Sequence, residues 1–316
     1  MKILVTPTSF RPDKQTNALQ KLRDFAGDIV FNPHGRPLKQ SELIELLPSC
    51  DGFIAGLDYI DAGVISSCDK LRVISRYGAG VDRVDLDAAR AFNVVVCNTP
   101  GANAQAVADL TIGLLLSVAR KIPLLDSSVK SGNWFRSTGV EIYGKTIGIL
   151  GLGAIGRAVA KRAQGFSMRV LAYDPYIDND YAIKNDVISA SIDQIVQEAD
   201  VISLHLPLSG DTRHIISADL MKKMKRGVII INTARGGLIA EDILPELLDS
   251  GQLGGLGLDA FEVEPLVKTP LSGYDNVVLT PHTAAHTFEA TENMADMAVQ
   301  NLIDVLSGNE CRYVIK

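Results

Sequence analysis

Three residues in the second half of the chain could together carry proton-transfer and anion-binding chemistry. Arg235, Glu264 and His282 each come shortly after a short apolar run typical of a buried strand. Since parallel strands end at one edge of a sheet, we expect the three side chains to share a site there. An arginine can hold a carboxylate through its planar donors, and an imidazole beside a carboxylate can take or return a proton. Taken alone, an arginine after a strand is more typical of a salt bridge, a Glu-Pro pair of a turn, and a histidine of a hydrogen-bond donor in a loop.

A glycine pattern upstream predicts a dinucleotide site. An apolar run over 146–150 is followed by Gly151, Gly153 and Gly156 in the spacing G-x-G-x-x-G, and then by a helical pattern. Gly151 permits the tight turn, Gly153 lets the backbone approach a pyrophosphate, and Gly156 lets helix and strand pack closely. The N–H groups at the helix start would hold the phosphates. A purely structural glycine turn is the alternative interpretation.

The residue after the next predicted strand indicates which cofactor binds. Asp174 directly follows the predicted strand 169–173. A carboxylate at this position of a dinucleotide-binding fold accepts hydrogen bonds from the adenosine ribose hydroxyls. Its charge repels the 2′-phosphate of NADP, and no Arg or Lys occurs among the next residues, 175–178. NAD is therefore the expected cofactor.

Composition limits the other function classes. The chain has 316 residues, of which 47% are hydrophobic, enough for two domains with cores. A net charge of −6 argues against a nucleic-acid or anionic-membrane surface, and no apolar run is long enough to span a membrane. The start lacks the apolar region of a signal peptide. The four cysteines show neither metal-ligand spacing nor a disulfide framework, so we expect no metal and a cytoplasmic protein.

Strand and helix patterns alternate along the whole chain, which predicts an α/β protein with two doubly wound parallel sheets. The first half carries predicted strands at 3–6, 28–31, 52–55, 73–75 and 94–97, with helices near 14–25, 41–47, 62–67 and 86–91. The second half carries predicted strands at 146–150, 169–173, 200–204, 228–231, 255–258 and 277–279, with helices at 154–166, 191–198, 217–224 and 241–250. A long helix over 104–120, ended by Pro123, and a last helix over 289–306 complete the prediction.

The glycine-rich loop 76–82 follows the predicted strand 73–75. Exposed amides in such a loop could bind an anion, because ligands of these sheets lie beyond the carboxyl ends of strands. A structural turn before a helix is an equally good interpretation.

Three segments resemble the D-isomer-specific 2-hydroxyacid dehydrogenases: Asn232–Gly237, Gly257–Pro265 and Thr280–Ala285. The likeness covers nearly the whole chain. It is greatest to D-3-phosphoglycerate dehydrogenases of the short form, without an appended regulatory domain, and to their hydroxypyruvate and glyoxylate reductase relatives. It implies a homodimer. We expect residues 1–98 plus 286–316 to form a flavodoxin-like substrate-binding domain, and residues 99–285 to form a Rossmann NAD-binding domain.

The resemblance also implies roles for individual residues. Arg235 would bind the substrate, His282 would be the acid/base, and Glu264 would be its partner. The substrate-binding positions are Arg76, Tyr77, Gly78, Ala79 and Arg235. The positions that match the NAD site are Gly151, Gly153, Ala154, Ile155, Gly156, Asp174, Leu206, Pro207, Thr212, Thr233, Ala234, Asp259 and Ala285.

The expected substrate depends on Arg76, which resembles an arginine near the phosphate in phosphoglycerate-specific relatives. It favours D-3-phosphoglycerate and 3-phosphohydroxypyruvate as the substrate pair. Gly56 stands where a second arginine is often found, and Arg76 could instead pair with Asp82 or Asp85 and brace its loop. The alternatives are a reductase of hydroxypyruvate, glyoxylate or another small 2-keto acid, and an NAD-sensing interaction protein resembling the C-terminal-binding corepressors. The chain has no long disordered extension of the kind expected for the latter.

Overall fold

The computed structural model describes residues 1–13 and 15–315, which fold into two compact units. The terminal unit comprises Met1–Asn103 and His286–Lys316, and the central unit comprises Ala104–Ala285. The boundary thus falls after Asn103 rather than after residue 98. No helix in the described residues is long and apolar enough to cross a membrane.

The elements alternate as the sequence patterns predict. In chain order they are β1 (Lys2–Val5), α1 (Asn17–Phe25), β2 (Asp28–Phe31), α2 (Gln40–Leu46), β3 (Gly52–Ala55), α3 (Ala62–Ser66), β4 (Val73–Arg76), α4 (Leu86–Ala91), β5 (Val95–Cys97), α5 (Ala104–Ala119), α6 (Ile122–Lys130), β6 (Thr146–Leu150), α7 (Ala154–Gly165), β7 (Arg169–Tyr173), α8 (Asn179–Lys184), β8 (Ile188–Ser189), α9 (Ile192–Glu198), β9 (Val201–Leu204), α10 (Ala218–Lys223), β10 (Val228–Asn232), α11 (Leu244–Asp249), β11 (Leu253–Leu258), β12 (Val277–Leu279) and α12 (Phe288–Ser307).

The terminal unit contains a five-stranded sheet in the order β2-β1-β3-β4-β5, with every pair parallel. This is the order of flavodoxin-like sheets, so the predicted fold class is confirmed. The predicted start of the first helix, Lys14, lies outside the described residues. The helix begins at Asn17, where the Thr16 hydroxyl accepts the Leu19 N–H and so satisfies one of the unpaired helix N–H groups.

The central unit contains a seven-stranded parallel sheet in the order β12-β11-β10-β9-β6-β7-β8. Counted within the unit, this is the Rossmann order 3-2-1-4-5-6 with one further strand at the edge. The order reverses where β6 meets β9, and ligands of such sheets bind beyond the strand ends at that point. Every residue of β6, β9 and β10 is buried, as expected for parallel strands covered by helices on both faces.

Two prolines start helices in the central unit. Pro123 was predicted to end the long helix, but α5 already ends at Ala119 and Pro123 lies in the first turn of α6. Pro245 lies in the first turn of α11, after a short 3₁₀ turn at Glu241–Ile243. The first N–H groups of a helix have no intrahelical partner, so proline costs little there. The elements α6, α8 and β8 were not predicted.

Candidate active site

The glycine turn after β6 has the geometry that a dinucleotide needs. Gly151 has φ +102°, and a Cβ there would lie 2.6 Å from the carbonyl carbon of His205. A Cβ at Gly156 would overlap the carbonyl oxygen of Gly151, so α7 can pack closely only with glycine at that position. Gly153 is exposed, and a Cβ built there would meet no atom within 4 Å. The turn is therefore closely packed on its inner side and open at Gly153, where a pyrophosphate would approach.

The start of α7 can accept a phosphate. Gly153 is the N-cap and provides no side chain to bind the first N–H groups of the helix. The nearby cation, Arg157, is paired with Asp178 at 3.1 Å and lies over the ring of Tyr181 at 3.9 Å. This pairing favours a cofactor without a 2′-phosphate.

Asp174 connects the glycine turn to the end of β7. Its Oδ2 accepts the Leu152 N–H at 2.8 Å, and its Oδ1 accepts the Tyr176 N–H at 2.9 Å. Each carboxylate oxygen can accept a further hydrogen bond, so ribose hydroxyls can still be bound. The residues of this region fit NAD.

The other positions matched to the NAD site lie at the start of α7, which follows β6, or after β9, β10, β11 and β12, on the carboxyl side of the sheet. Ala154 and Pro207 are exposed; Ile155, Ala234 and Ala285 are half-buried; Leu206, Thr212 and Thr233 are buried. The Thr212 hydroxyl donates to the Pro207 carbonyl at 2.6 Å, and the Thr233 and Thr111 hydroxyls are 2.8 Å apart. Thr212 and Thr233 therefore anchor their own loops, and their contacts with a cofactor stay predictions.

Asp259 follows β11 and is fully buried. Its Oδ1 accepts the Thr280 hydroxyl at 2.6 Å and the Thr283 N–H at 2.8 Å, and its Oδ2 accepts the Ala284 N–H at 2.9 Å. These three bonds hold the loop that carries His282. Its direct contact with NAD stays a prediction.

His282 and Glu264 form the expected pair. The imidazole Nδ1 lies 2.9 Å and 3.0 Å from the two Glu264 carboxylate oxygens, and both side chains are largely buried. A carboxylate can only accept, so Nδ1 carries the hydrogen and Nε2 is the nitrogen left for proton exchange. Glu264 Oε1 also accepts the Phe261 N–H at 3.1 Å, which fixes the carboxylate.

Arg235 lies in a tight turn after β10. The fully buried Asn232 holds this turn, because its amide group donates to the Arg235 carbonyl at 2.7 Å and accepts the Ala234 N–H at 3.0 Å. A Cβ at Gly236 would overlap the main chain of Phe261, so the Arg235 turn packs directly against the segment that leads to Glu264. Because β10, β11 and β12 are neighbours in the sheet, the predicted triad shares one edge.

A second set of charged residues, not predicted from the sequence, holds the segment before Glu264. Glu262 Oε1 lies 2.5 Å from His214 Nε2 and 3.3 Å from an Arg213 nitrogen, and the Glu262 N–H donates to Glu241 at 3.0 Å. Burial, together with the charges of Glu262 and Glu264, raises the pKa of Glu241. His214 and Glu262 are 48 positions apart, and no local pattern could have joined them.

The expected phosphate contact of Arg76 must be corrected. Arg76 is only 2% exposed, and its guanidinium donates to the carbonyls of Ala55 at 2.5 Å and Gly80 at 3.1 Å. The arginine braces its own loop through main-chain oxygens, in line with the bracing role considered as the alternative. A buried guanidinium in this arrangement is not presented to a substrate phosphate.

The side chain of Tyr77 also has a structural role in place of the expected substrate contact. It is buried, its hydroxyl donates to the Thr291 carbonyl at 2.6 Å, and its ring stacks on Phe10. Burial raises the pKa of Tyr77 to about 12. The residue fastens the first turn of α12 to the sheet of the terminal unit.

The 78–80 loop presents main-chain donors one position later than predicted. Gly78, with φ +136°, donates its N–H to the Thr99 hydroxyl at 2.8 Å, so that amide is occupied. The Ala79 carbonyl accepts a hydrogen bond from the Asn98 side chain at 2.7 Å. The N–H groups of Ala79 and Gly80 have no hydrogen-bond partner among the described residues. Two adjacent main-chain amides of this kind could hold an anion, and the substrate contact of this loop stays a prediction.

Comparisons with known proteins agree with this geometry. The sequence profile of the D-isomer specific 2-hydroxyacid dehydrogenase, NAD binding domain, matches residues 112–284. A D-3-phosphoglycerate dehydrogenase of Methanocaldococcus jannaschii is 41% identical over 88% of the chain, which spans only 54% of that relative. A hydroxypyruvate reductase of Thermotoga maritima is also 41% identical, over 85% of the chain and 89% of the relative.

A solved glyoxylate reductase structure from Paecilomyes thermophila superposes with a TM-score of 0.87 at 28% identity, covering 100% of this chain and 98% of the other. The chain therefore belongs to the D-isomer-specific 2-hydroxyacid dehydrogenase family and carries that family's NAD-binding domain.

Proposed function

We propose that this chain is an NAD-dependent D-2-hydroxyacid dehydrogenase, with NAD bound by the central unit and part of the substrate bound by the terminal unit. The observation that carries the proposal is the His282–Glu264 pair at the carboxyl edge of the NAD-binding sheet. Bound NAD would supply the hydride acceptor, or NADH the donor.

The residues of the chain supply the proton and the orientation. His282 Nε2 takes the proton from the C2 hydroxyl during oxidation and returns it during reduction. Glu264 holds the ring through Nδ1 and stabilises its protonated form. Arg235 binds the substrate carboxylate and the C2 oxygen with its planar donors, so it acts on both the ground state and the transition state.

The 78–80 loop is the second proposed substrate contact. The Ala79 and Gly80 N–H groups would hold a substrate carboxylate without any cationic side chain. In this proposal Arg76 maintains the conformation of the loop through its hydrogen bond to the Gly80 carbonyl.

We propose a small unphosphorylated 2-keto acid, such as glyoxylate or hydroxypyruvate, as the substrate. A phosphate carries roughly two charges and requires cationic partners. Arg76 is buried against carbonyls, and a side chain at Gly56 would begin 3.1 Å from the Pro7 Cα, which leaves little room for the second arginine. The relatives named hydroxypyruvate reductase and glyoxylate reductase support this choice.

D-3-phosphoglycerate is the second candidate. It is favoured by the 41% identity to the relative named D-3-phosphoglycerate dehydrogenase. Initial rates of NADH oxidation with glyoxylate, hydroxypyruvate and 3-phosphohydroxypyruvate separate the two. We expect the phosphate ester to have no higher catalytic efficiency than hydroxypyruvate. A preference of about tenfold or more for the ester, ~1.4 kcal/mol, would support phosphoglycerate instead. Binding of NADH with no turnover of any keto acid would favour the NAD-sensing alternative.

We also propose a homodimer formed through the surface of residues 122–143. This surface exposes large apolar side chains: Trp134 is 83% exposed and Tyr143 is 73% exposed. Apolar exposure of this kind marks an interface. Light scattering should give the mass of a dimer for the wild type and of a monomer for Trp134→Glu; a monomeric wild type would refute the proposal.

The free cysteines of the described residues support the expected reducing, cytoplasmic location.

A further inference from the structure

Two cysteines that are 214 positions apart meet in the terminal unit. The sulfur of Cys97, at the end of the edge strand β5, lies 3.4 Å from the sulfur of Cys311. Cys97 is fully buried, and Cys311 is partly exposed to solvent. The Cys311 thiol also contacts the side-chain oxygen of Asn301 at 3.5 Å.

Main-chain bonds hold the two sulfurs in this position. Val314 forms an antiparallel bridge with Cys97, the Ile315 N–H donates to the Val96 carbonyl at 2.8 Å, and the Asn98 N–H donates to the Tyr313 carbonyl at 3.2 Å. The 311–315 segment therefore covers the outer edge of β5. These bonds keep Cys311, which lies at the start of this segment, near the end of β5.

We propose that Cys97 and Cys311 are a disulfide site, oxidised by a peroxide and reversed by thiols, that fastens the 311–315 segment to β5. A disulfide has its sulfurs about 2.05 Å apart, so they need to approach by about 1.4 Å from the 3.4 Å observed. β5 leads directly into Asn98 and Thr99, which hold the 78–80 loop. The bond would therefore stabilise the segment that anchors this loop.

The two sulfurs have different tasks in the reaction. Burial raises the pKa of the Cys97 thiol, so peroxide attack begins at the partly exposed Cys311. The Cys311 thiolate attacks one peroxide oxygen and the O–O bond breaks, giving a sulfenic acid and hydroxide, which takes a proton and leaves as water. The Cys97 sulfur then displaces the sulfenic hydroxyl, which leaves as a second water with the Cys97 proton. Two thiols and one hydrogen peroxide become one disulfide and two waters.

The other two cysteines allow a matched test. Cys50 donates to the Leu46 carbonyl and Cys68 to the Val64 carbonyl, inside the same unit. The variant Cys50→Ala/Cys68→Ala retains only the proposed pair. It is treated with hydrogen peroxide, and intact mass and free thiols are measured before and after dithiothreitol. The wild type is treated in parallel and digested with trypsin, which should link peptide 91–120 to peptide 269–312; this arm covers the case in which the double variant does not fold.

We expect peroxide to remove two hydrogens and both thiols from the double variant, and dithiothreitol to restore them. Adding Cys97→Ala or Cys311→Ala should abolish the bond. Cys97→Ala should leave Cys311 as a sulfenic or more oxidised thiol, whereas Cys311→Ala should leave the buried Cys97 reduced. The oxidised form should melt at a temperature about 2 °C or more above the reduced form, because the bond closes a very long loop. Peroxide treatment that leaves both thiols free, a linkage through another cysteine, or an oxidised form that melts no higher would overturn the proposal.

Discussion

Replacing Asp259 by Asn distinguishes the loop-holding role of this residue from a cofactor contact. The carboxylate accepts three hydrogen bonds from the 280–284 loop at 2.6 to 2.9 Å and is fully buried. In the Asn variant the amide oxygen can keep the Thr280 and Thr283 bonds, but the NH₂ group then faces the Ala284 N–H. Two hydrogen-bond donors, the new NH₂ group and the Ala284 N–H, would then face each other in a buried site that water does not reach.

The magnitude follows from these bonds. A lost hydrogen bond to a charged acceptor is worth about 1.5–3 kcal/mol, and the unpaired N–H adds to the cost. Because the bond holds the loop that carries His282, this energy reduces the fraction of molecules with the imidazole in place. A loss of 1.5–3 kcal/mol corresponds to a kcat lower by ~10-fold to ~150-fold. Thr280→Val keeps the shape and removes one hydroxyl bond, so we expect a smaller loss, about fivefold.

The assay pairs steady-state NADH oxidation with the Kd for NADH, measured from NADH fluorescence, and circular dichroism confirms that the variants fold. We expect kcat to fall in both variants while the Kd for NADH stays within about twofold. A Kd for NADH raised about tenfold or more with kcat unchanged would refute the loop-holding role and show that Asp259 binds the cofactor.

Three further predictions concern charges near the site. The wild type should use NAD with a catalytic efficiency at least about tenfold higher than NADP, because the Asp174 carboxylate repels a 2′-phosphate. Asp174→Ala should reduce this ratio of catalytic efficiencies. Equal efficiencies with the two cofactors in the wild type would contradict the prediction. Glu264→Gln should shift the pH profile of keto-acid reduction to lower pH, because the protonated imidazole of His282 loses the negative charge that stabilises it. An unchanged profile would show that the Glu264 carboxylate does not act on His282. Glu262→Gln should lower kcat with a smaller pH shift, because Glu262 positions the Glu264 segment, and Glu262→Asp should restore part of the loss; a full-rate Glu262→Gln variant would contradict this.

Local sequence signals predicted the features that depend on local sterics. The strand–turn–helix around Gly151 was predictable because two of its glycines leave no room for a Cβ. The His282–Glu264 pair was predictable because parallel strands deliver their carboxyl ends to one edge. Pro123 was misinterpreted, since proline is compatible both with the end of one helix and with the first turn of the next.

Features that depend on distant contacts were beyond local reasoning. Arg76 is the clearest example: its type and position favoured a phosphate ligand, whereas the carbonyl of Ala55, on the neighbouring strand, takes its guanidinium. The pairs His214–Glu262 and Cys97–Cys311 join segments 48 and 214 positions apart. Only the tertiary fold brings such residues together.

The central claim, that His282 transfers the substrate proton, is tested most directly by His282→Asn. His282 has φ +49°, and asparagine tolerates this left-handed conformation while its NH₂ group can still donate to Glu264. The measurement is the rate of glyoxylate and hydroxypyruvate reduction by NADH, alongside the Kd for NADH. The account predicts a kcat lower by about 10² to 10⁴ with the Kd for NADH within about twofold. A variant that retains wild-type kcat would contradict it.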